Sequence, residues 1–151
     1  MRQERYPMSM PAGYRGATES RTSRRVKAFL RRNGLKVESI RSHRFADDKC
    51  SHRFRVLLPG GRQGNYHPDF CVSSRFWIEV KGGVGYNIDT LYRIAGAARQ
   101  ACNRYVVVCD RAFAKAWERW MKVIPACSRA HARLLVFPEQ QEDLLRFLRR
   151  N

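Results

Sequence analysis

Two short apolar segments separated by a polar turn constrain the fold of this chain more than any other feature. Residues 66–72 and 76–80 are rich in β-branched and aromatic side chains, which predicts two strands of one antiparallel hairpin. If the hairpin turns about Ser74, the numbers of paired residues sum to 148, so Phe70 faces Ile78. The apolar side chains then share one face of the hairpin.

Three charged side chains occupy the opposite face in the same register. Asp69 precedes Glu79 by ten positions and lies directly opposite it, while Lys81 leaves the same face two residues further on. Two carboxylates this close repel each other unless a cation lies between them, and Mg²⁺ prefers such oxygen ligands. Lys81 is suited to hold or deprotonate an attacking water. The alternative is a surface cluster of charges, which is common for an isolated Glu-x-Lys tripeptide.

The rest of the chain alternates between predicted helices and strands, as in an α/β fold with a mixed central sheet flanked by helices. Thr18 is the predicted cap of the first helix, and Gly34 supplies the residue just past its end. The predicted helices are 18–33, 89–103, 112–123 and 139–149. The other predicted strands are 35–40, 54–58, 105–109 and 133–137, and residues 59–64 are a predicted loop.

The net charge indicates the class of partner. The chain has 151 residues, of which 30 are Lys or Arg and 13 are Asp or Glu, for a net charge of +17. A surface this basic favours a polyanion, and nucleic acid is the expected partner. Residues 1–17 are predicted to be a flexible basic arm, and residues 18–151 a single domain.

The composition also bears on the cellular compartment. No apolar stretch is long enough to span a bilayer, and the N-terminus lacks an apolar signal core, so neither membrane insertion nor secretion is expected. Five cysteines without paired spacing predict reduced thiols in a cytoplasmic protein.

The two charged motifs together resemble a known enzyme family. His67-Pro68-Asp69 followed by Glu79-Val80-Lys81 is similar to the core motif of the PD-(D/E)xK nuclease superfamily, over about residues 18–109. The surrounding residues are especially similar to phage Holliday-junction resolvases and transposon-end endonucleases. The resemblance implies a restriction-endonuclease-like fold and a Mg²⁺-dependent DNA endonuclease, with Mn²⁺ as a substitute ion. It further implies a bacterial, phage or mobile-element context.

The resemblance also assigns roles to individual residues. It implies that Asp69, Glu79 and Lys81 are catalytic, and that Asp69, Glu79 and Val80 bind the metal. The family usually adds an acidic residue from the first helix, and Glu19 is the candidate for both roles. Glu19 lies seven residues before Val26, two helical turns along nearly the same stripe. The alternatives are that Glu19 only favours the helix N-terminus, or that Glu38 on a predicted strand replaces it.

Other basic and polar side chains are candidate DNA contacts. They lie on the first helix, in the predicted loop, beside the acidic motif and on the helix after it: Arg21, Arg24, Arg25, Arg62, His67, Arg99 and Gln100.

Three functions stay open at the level of sequence. The first is an endonuclease that acts alone or as a homodimer, the second a nuclease subunit that needs a transposase or recombination partner, and the third a catalytically silent DNA-binding protein. The absence of a recognisable helix-turn-helix leaves the first two hard to separate. A lone domain offers few base-reading elements, which favours structure-selective cutting, nicking or long-site homing over tight sequence reading. The candidate dimer contacts are large apolar side chains of the C-terminal helices: Trp117, Trp120, Phe147 and Leu148.

Overall fold

The computed structural model describes residues 20–39, 54–123 and 132–150. The helices of this part of the chain are α1 (Arg21–Arg32), α2 (Ile88–Ala101), α3 (Arg111–Val123) and α4 (Gln141–Leu148). Its strands are β1 (Val37–Ser39), β2 (Phe54–Leu57), β3 (Gln63–Tyr66), β4 (Phe70–Val72), β5 (Phe76–Lys81), β6 (Tyr105–Cys109) and β7 (Arg133–Val136). The predicted arm 1–17, Thr18 and Glu19 lie outside the described residues.

Five of these strands form a mixed central sheet in the order β1-β4-β5-β6-β7. The β1, β4 and β5 strands pair antiparallel, and β5, β6 and β7 pair parallel. The remaining two strands, β2 and β3, form a separate antiparallel ribbon inserted between β1 and β4. The prediction of a mixed sheet flanked by helices is therefore confirmed.

Each face of the central sheet is covered by its own apolar layer. On one face, α1 and α4 pack against alternate residues of the central strands, including Phe70, Ile78 and Val106. On the other face, α2, α3 and the β2–β3 ribbon pack against Tyr105 and Val107. Because side chains alternate along a strand, successive residues of β5 and β6 enter different layers.

The observed boundaries differ from the predicted ones for local reasons. The side chain of Ser20 accepts a hydrogen bond from the backbone N–H of Ser23, so Ser20 caps α1 where Thr18 was predicted to do so. Gly34 follows the helix with φ of +82°, as predicted for a glycine just past a helix end.

Two predicted segments are wrong. Residues 59–64 are not one loop, because Pro59–Gly61 is a 3-10 turn and Gln63 already begins β3. Residues 66–72 are not one strand, because the chain leaves the sheet between Tyr66 and Phe70.

The predicted dimer contacts are also corrected by the structure. Trp117 on α3 is buried in one apolar layer, and Phe147 and Leu148 on α4 are buried in the other. Trp120 is partly buried and packs its ring against Phe113 and Tyr86. A five-stranded sheet has two faces to cover, so these side chains are used inside the molecule.

Two further expectations concern the membrane and the thiols. None of the helices in residues 20–39, 54–123 and 132–150 is long and apolar enough to cross a bilayer. Cys102 and Cys109 are free thiols, as predicted. Cys71 is disulfide-bonded, so the expectation of five reduced thiols is wrong at this position.

Candidate functional site

The β4–β5 hairpin adopts the register predicted from its sequence. Phe70 pairs with Ile78 and Val72 with Phe76. The hairpin reverses through Ser73 and Ser74, both with φ of +54°, as a tight turn between right-handed twisted strands requires. Consequently Ile78 and Val80 enter one apolar layer, and Glu79 and Lys81 leave the sheet on the other face.

Asp69 reaches this second face from an irregular segment between β3 and β4. Pro68 has no backbone N–H to donate to a strand neighbour, and the chain is irregular from His67 to Asp69. Beyond the last β4–β5 pair, the Asp69 carboxylate accepts a hydrogen bond from the backbone N–H of Val80, with an N···Oδ2 distance of 2.8 Å. This bond holds Asp69 beside Glu79.

Glu79 is the most deeply buried acidic side chain in the described part of the chain. The residue is 3% exposed, and its Oε2 forms an ion pair with Lys81 Nζ at 2.9 Å. Its second oxygen, Oε1, is buried without a hydrogen-bond partner among the described residues. Burial of a carboxylate oxygen without a hydrogen-bond donor is energetically costly, because no protein group replaces the water that solvated it.

Burial and charge have opposing effects on the ionisation of this group. Burial, together with the negative charge of Asp69, raises the pKa of Glu79 from 4.5 to about 7, although Lys81 and Tyr66 act in the opposite direction. Burial lowers the pKa of Lys81, but the Glu79 carboxylate beside it outweighs burial and leaves this pKa above its ordinary value. Lys81 is therefore a charged ammonium at neutral pH. Its single positive charge is not sufficient to bring the pKa of Glu79 back to the ordinary value.

An aromatic side chain fixes the position of Lys81. The Lys81 ammonium lies 5.3 Å from the centre of the Tyr86 ring. The Tyr86 hydroxyl accepts from the backbone N–H of Gly82 at 3.0 Å and donates to the carbonyl oxygen of Gly82 at 2.5 Å. Asp110 Oδ2 accepts from the next N–H, that of Gly83, at 2.9 Å. The chain directly after Lys81 is thus tied to the body of the domain.

Two tyrosines beneath the carboxylates were missed by the sequence analysis. The hydroxyls of Tyr66 and Tyr105 are buried and lie 3.1 Å apart in a hydrogen bond. Burial and the charge of Glu79 raise the pKa of both phenols well above the ordinary value. The Tyr66 hydroxyl interacts with the Glu79 carboxylate but does not complete a hydrogen bond to Oε1. Tyr105 lies here because β6 is the parallel neighbour of β5, a pairing that is not encoded in a local sequence pattern.

Two of the predicted DNA contacts are engaged within the protein. Arg62 forms an ion pair with Asp89 at 3.0 Å, and Gln100 donates its side-chain amide to the carbonyl oxygen of Arg55 at 2.6 Å. Arg99 is exposed on α2, and His67 is half-buried between β3 and β4.

The basic residues of the first helix lie elsewhere. Arg21, Arg24 and Arg25 are exposed on α1, which packs on the sheet face opposite to Glu79. The structure therefore does not bring these arginines beside the carboxylates.

The third acidic position is only partly described. Glu19 lies outside the described residues. Glu38 is half-buried on β1, paired with Cys71, and forms no ion pair with another described residue. Among the described residues, no three His, Cys, Asp or Glu side chains are close enough to share one metal ion. The two carboxylates that do converge are Asp69 and Glu79.

The donor set at this point fits a hard divalent cation. The available ligands are carboxylate oxygens, the ligand type that Mg²⁺ and Mn²⁺ prefer, and no thiolate is among them. The unsatisfied Oε1 of Glu79 and the raised pKa of this group are both relieved by a positive charge placed between Glu79 and Asp69. No protein-family model, curated protein or solved structure matches this chain.

Proposed function

We propose that this chain is a Mg²⁺-dependent DNA endonuclease with a restriction-endonuclease-like fold of the PD-(D/E)xK type. The observation that carries the proposal is the convergence of Asp69, Glu79 and Lys81 on one sheet face, with Glu79 Oε1 buried and lacking a partner. A cluster of surface charges does not explain a carboxylate that is 3% exposed. The net charge of +17 supports a polyanionic substrate.

The chemistry is hydrolysis of a phosphodiester. A water oxygen forms a bond to phosphorus while one bond from phosphorus to a sugar oxygen breaks. The water loses a proton and the departing sugar oxygen gains one, so the products are a phosphate monoester and a hydroxyl. Asp69 and Glu79 would hold a Mg²⁺ ion, which would supply polarisation of the phosphoryl oxygen and a lower pKa for the attacking water.

The side chains of the chain itself have distinct tasks in this reaction. Lys81 is charged and partly exposed, so it can orient the water and stabilise the charge that develops on the phosphoryl oxygens. The bond from Val80 N–H keeps the Asp69 carboxylate turned toward Glu79. Tyr86, in contact with Lys81, keeps the ammonium over the same face.

The direct test is cleavage of supercoiled plasmid DNA. We expect nicking or cutting in Mg²⁺ or Mn²⁺, none in EDTA, and binding without turnover in Ca²⁺. Asp69→Asn and Lys81→Met should each lower the cleavage rate by at least about a hundredfold, since each removes a group that acts on the transition state. DNA affinity in Ca²⁺ should change by only a few fold.

Matched controls come from the opposite layer of the molecule. Asp143→Asn makes the same chemical change as Asp69→Asn, but on α4, on the sheet face away from Glu79. It should cleave like the wild type. Undiminished cleavage by Asp69→Asn would contradict the assignment, and DNA binding without cleavage under every metal condition would favour the catalytically silent alternative. A panel of linear, nicked, flap and four-way-junction DNA then defines the preferred substrate.

A further inference from the structure

The β2–β3 ribbon has two chemically different faces. Its inner face packs on α2 through buried apolar side chains such as Phe54 and Val56. Its outer face is exposed and carries four side chains that form two cross-strand pairs. These side chains are Arg55 opposite Asn65 and Leu57 opposite Gln63.

The backbone of this ribbon is firmly fixed to α2. Gln100 donates to the carbonyl oxygen of Arg55 at 2.6 Å, and Arg93 Nε donates to that of Asn65 at 3.2 Å. Gly96 allows a close approach, because a Cβ atom at this position would lie 2.7 Å from Cγ1 of Val56. The ribbon is therefore a rigid support for the side chains on its outer face.

Three side chains of the outer face are polar and are not used for contacts within the described part of the chain. None of the hydrogen bonds or ion pairs among the described residues involves the side chain of Arg55, Gln63 or Asn65. These three residues and Gly64 line a shallow groove of about 260 Å³. The groove presents one guanidinium and two carboxamides to an external ligand.

The charge and shape of this face select one class of partner. Residues 54–66 contain no acidic side chain, and nearby α2 adds Arg93 and Arg99, so the surface attracts a polyanion. The outer face has no aromatic side chain on which unpaired bases could stack, which disfavours single strands. The deep, narrow major groove of duplex RNA excludes side chains, whereas that of B-form DNA admits a two-stranded ribbon.

We propose that the β2–β3 ribbon enters the major groove of duplex DNA and that Arg55, Gln63 and Asn65 read base edges there. Arginine matches the two acceptors of guanine, and asparagine or glutamine matches the donor and acceptor of adenine. This inference rests on the proposed nuclease function, whose substrate it specifies. It departs from the sequence-based expectation that the domain offers few base-reading elements.

The position of the ribbon predicts where the contacted bases lie. Tyr66 ends β3 and is buried beside Glu79. Along the strand, Asn65 lies about 3 Å and Gln63 about 10 Å before Tyr66. The preferred bases should therefore lie close to the cleaved phosphate.

The test is a selection of randomised duplex DNA by the metal-free Asp69→Asn protein, for which no cleavage is needed. Selected duplexes should favour particular bases over a short window. Arg55→Ala should flatten the preference at one position by at least about fivefold. Arg55→Lys keeps the charge but loses the planar fork, so it should lose the same preference while its affinity for random DNA changes by only a few fold.

Arg146→Ala is the matched control, because Arg146 is exposed on α4 in the opposite layer. It should leave the base profile unchanged. The proposal is overturned if the parent protein selects no sequence, if Arg55→Ala keeps the profile, or if single strands or duplex RNA bind more tightly. If the selected preference depends on Arg55 but the wild type cuts no DNA in Mg²⁺ or Mn²⁺, the nuclease proposal alone is refuted. If the wild type cuts DNA but the selected preference does not depend on Arg55, the ribbon proposal alone is refuted.

Discussion

The buried Glu79 carboxyl should make the stability of the metal-free protein depend on pH, and Glu79→Gln should remove this dependence. The folded protein holds the proton of Glu79 up to about pH 7, whereas in the unfolded chain this group titrates near 4.5. Between these two pH values Glu79 is ionised in the unfolded chain but still protonated in the folded protein. The free energy of unfolding therefore falls as pH rises. The stabilisation is fully present below pH 4.5 and is lost as pH passes through about 7.

The size of the effect follows from the pKa of this group. A displacement from 4.5 to about 7 corresponds to about 3 kcal/mol, at about 1.4 kcal/mol for each pH unit. No reduction for solvent screening is needed, because the residue is only 3% exposed. The groups that face Glu79 are Lys81, Asp69, Tyr66 and Tyr105.

The measurement is urea denaturation in EDTA from pH 4.5 to 8, followed by tryptophan fluorescence. The fall in unfolding free energy over this range should be about 3 kcal/mol larger for the wild type than for Glu79→Gln. Glu142→Gln, an exposed position on α4, serves as the control and should behave like the wild type. Parallel curves for the wild type and Glu79→Gln would refute the reasoning. Addition of Mg²⁺ at pH 8 should raise the stability of the wild type but not of Glu79→Gln.

Two further predictions concern the ribbon and the surface charge. Gly96→Ala should destabilise the fold by about 1–2 kcal/mol in urea denaturation, because both Cβ and Cγ1 of Val56 lie too close and a helix-propensity gain of about 1 kcal/mol offsets only part. Gly85→Ala, where an added Cβ meets nothing within 4 Å, should be nearly neutral, and equal effects would contradict the close packing. Duplex affinity measured by fluorescence anisotropy should fall about 10³-fold or more between about 50 and 200 mM salt. A flat salt dependence would exclude binding dominated by phosphate contacts.

The β4–β5 hairpin was predictable because its pairing is set by a local sequence pattern. Alternation of apolar side chains and a short polar turn set the pairing of Phe70 with Ile78, and this register places Glu79 and Lys81 on one face. The position of Asp69 required one further step that the sequence conceals. Pro68 interrupts the strand before β4 begins. The Asp69 carboxylate then accepts a hydrogen bond from the backbone N–H of Val80.

The parts that escaped prediction depend on contacts between distant segments. The glycines and proline of residues 59–64 conceal the start of β3, and the ribbon is stabilised by α2, which lies some thirty residues further along the chain. Tyr105 is placed beneath Glu79 by a parallel crossover whose register has no local pattern. The burial of Trp117 follows from the need to cover a second sheet face.

The way the ribbon joins the sheet has a consequence for how such a protein can diversify. The β1 and β4 strands are direct hydrogen-bonded neighbours, although Ser39 and Phe70 are separated by thirty residues of chain. The intervening segment therefore departs from and returns to the same place. Replacement of its ribbon residues Phe54–Leu57 and 63–65, with Asp69 retained, breaks no pairing within the five-stranded sheet. Exchange of the ribbon is a route by which one scaffold acquires new ligand preferences, as loop exchange does in enzymes. Grafting a ribbon of different sequence between the same two strands is the corresponding engineering strategy.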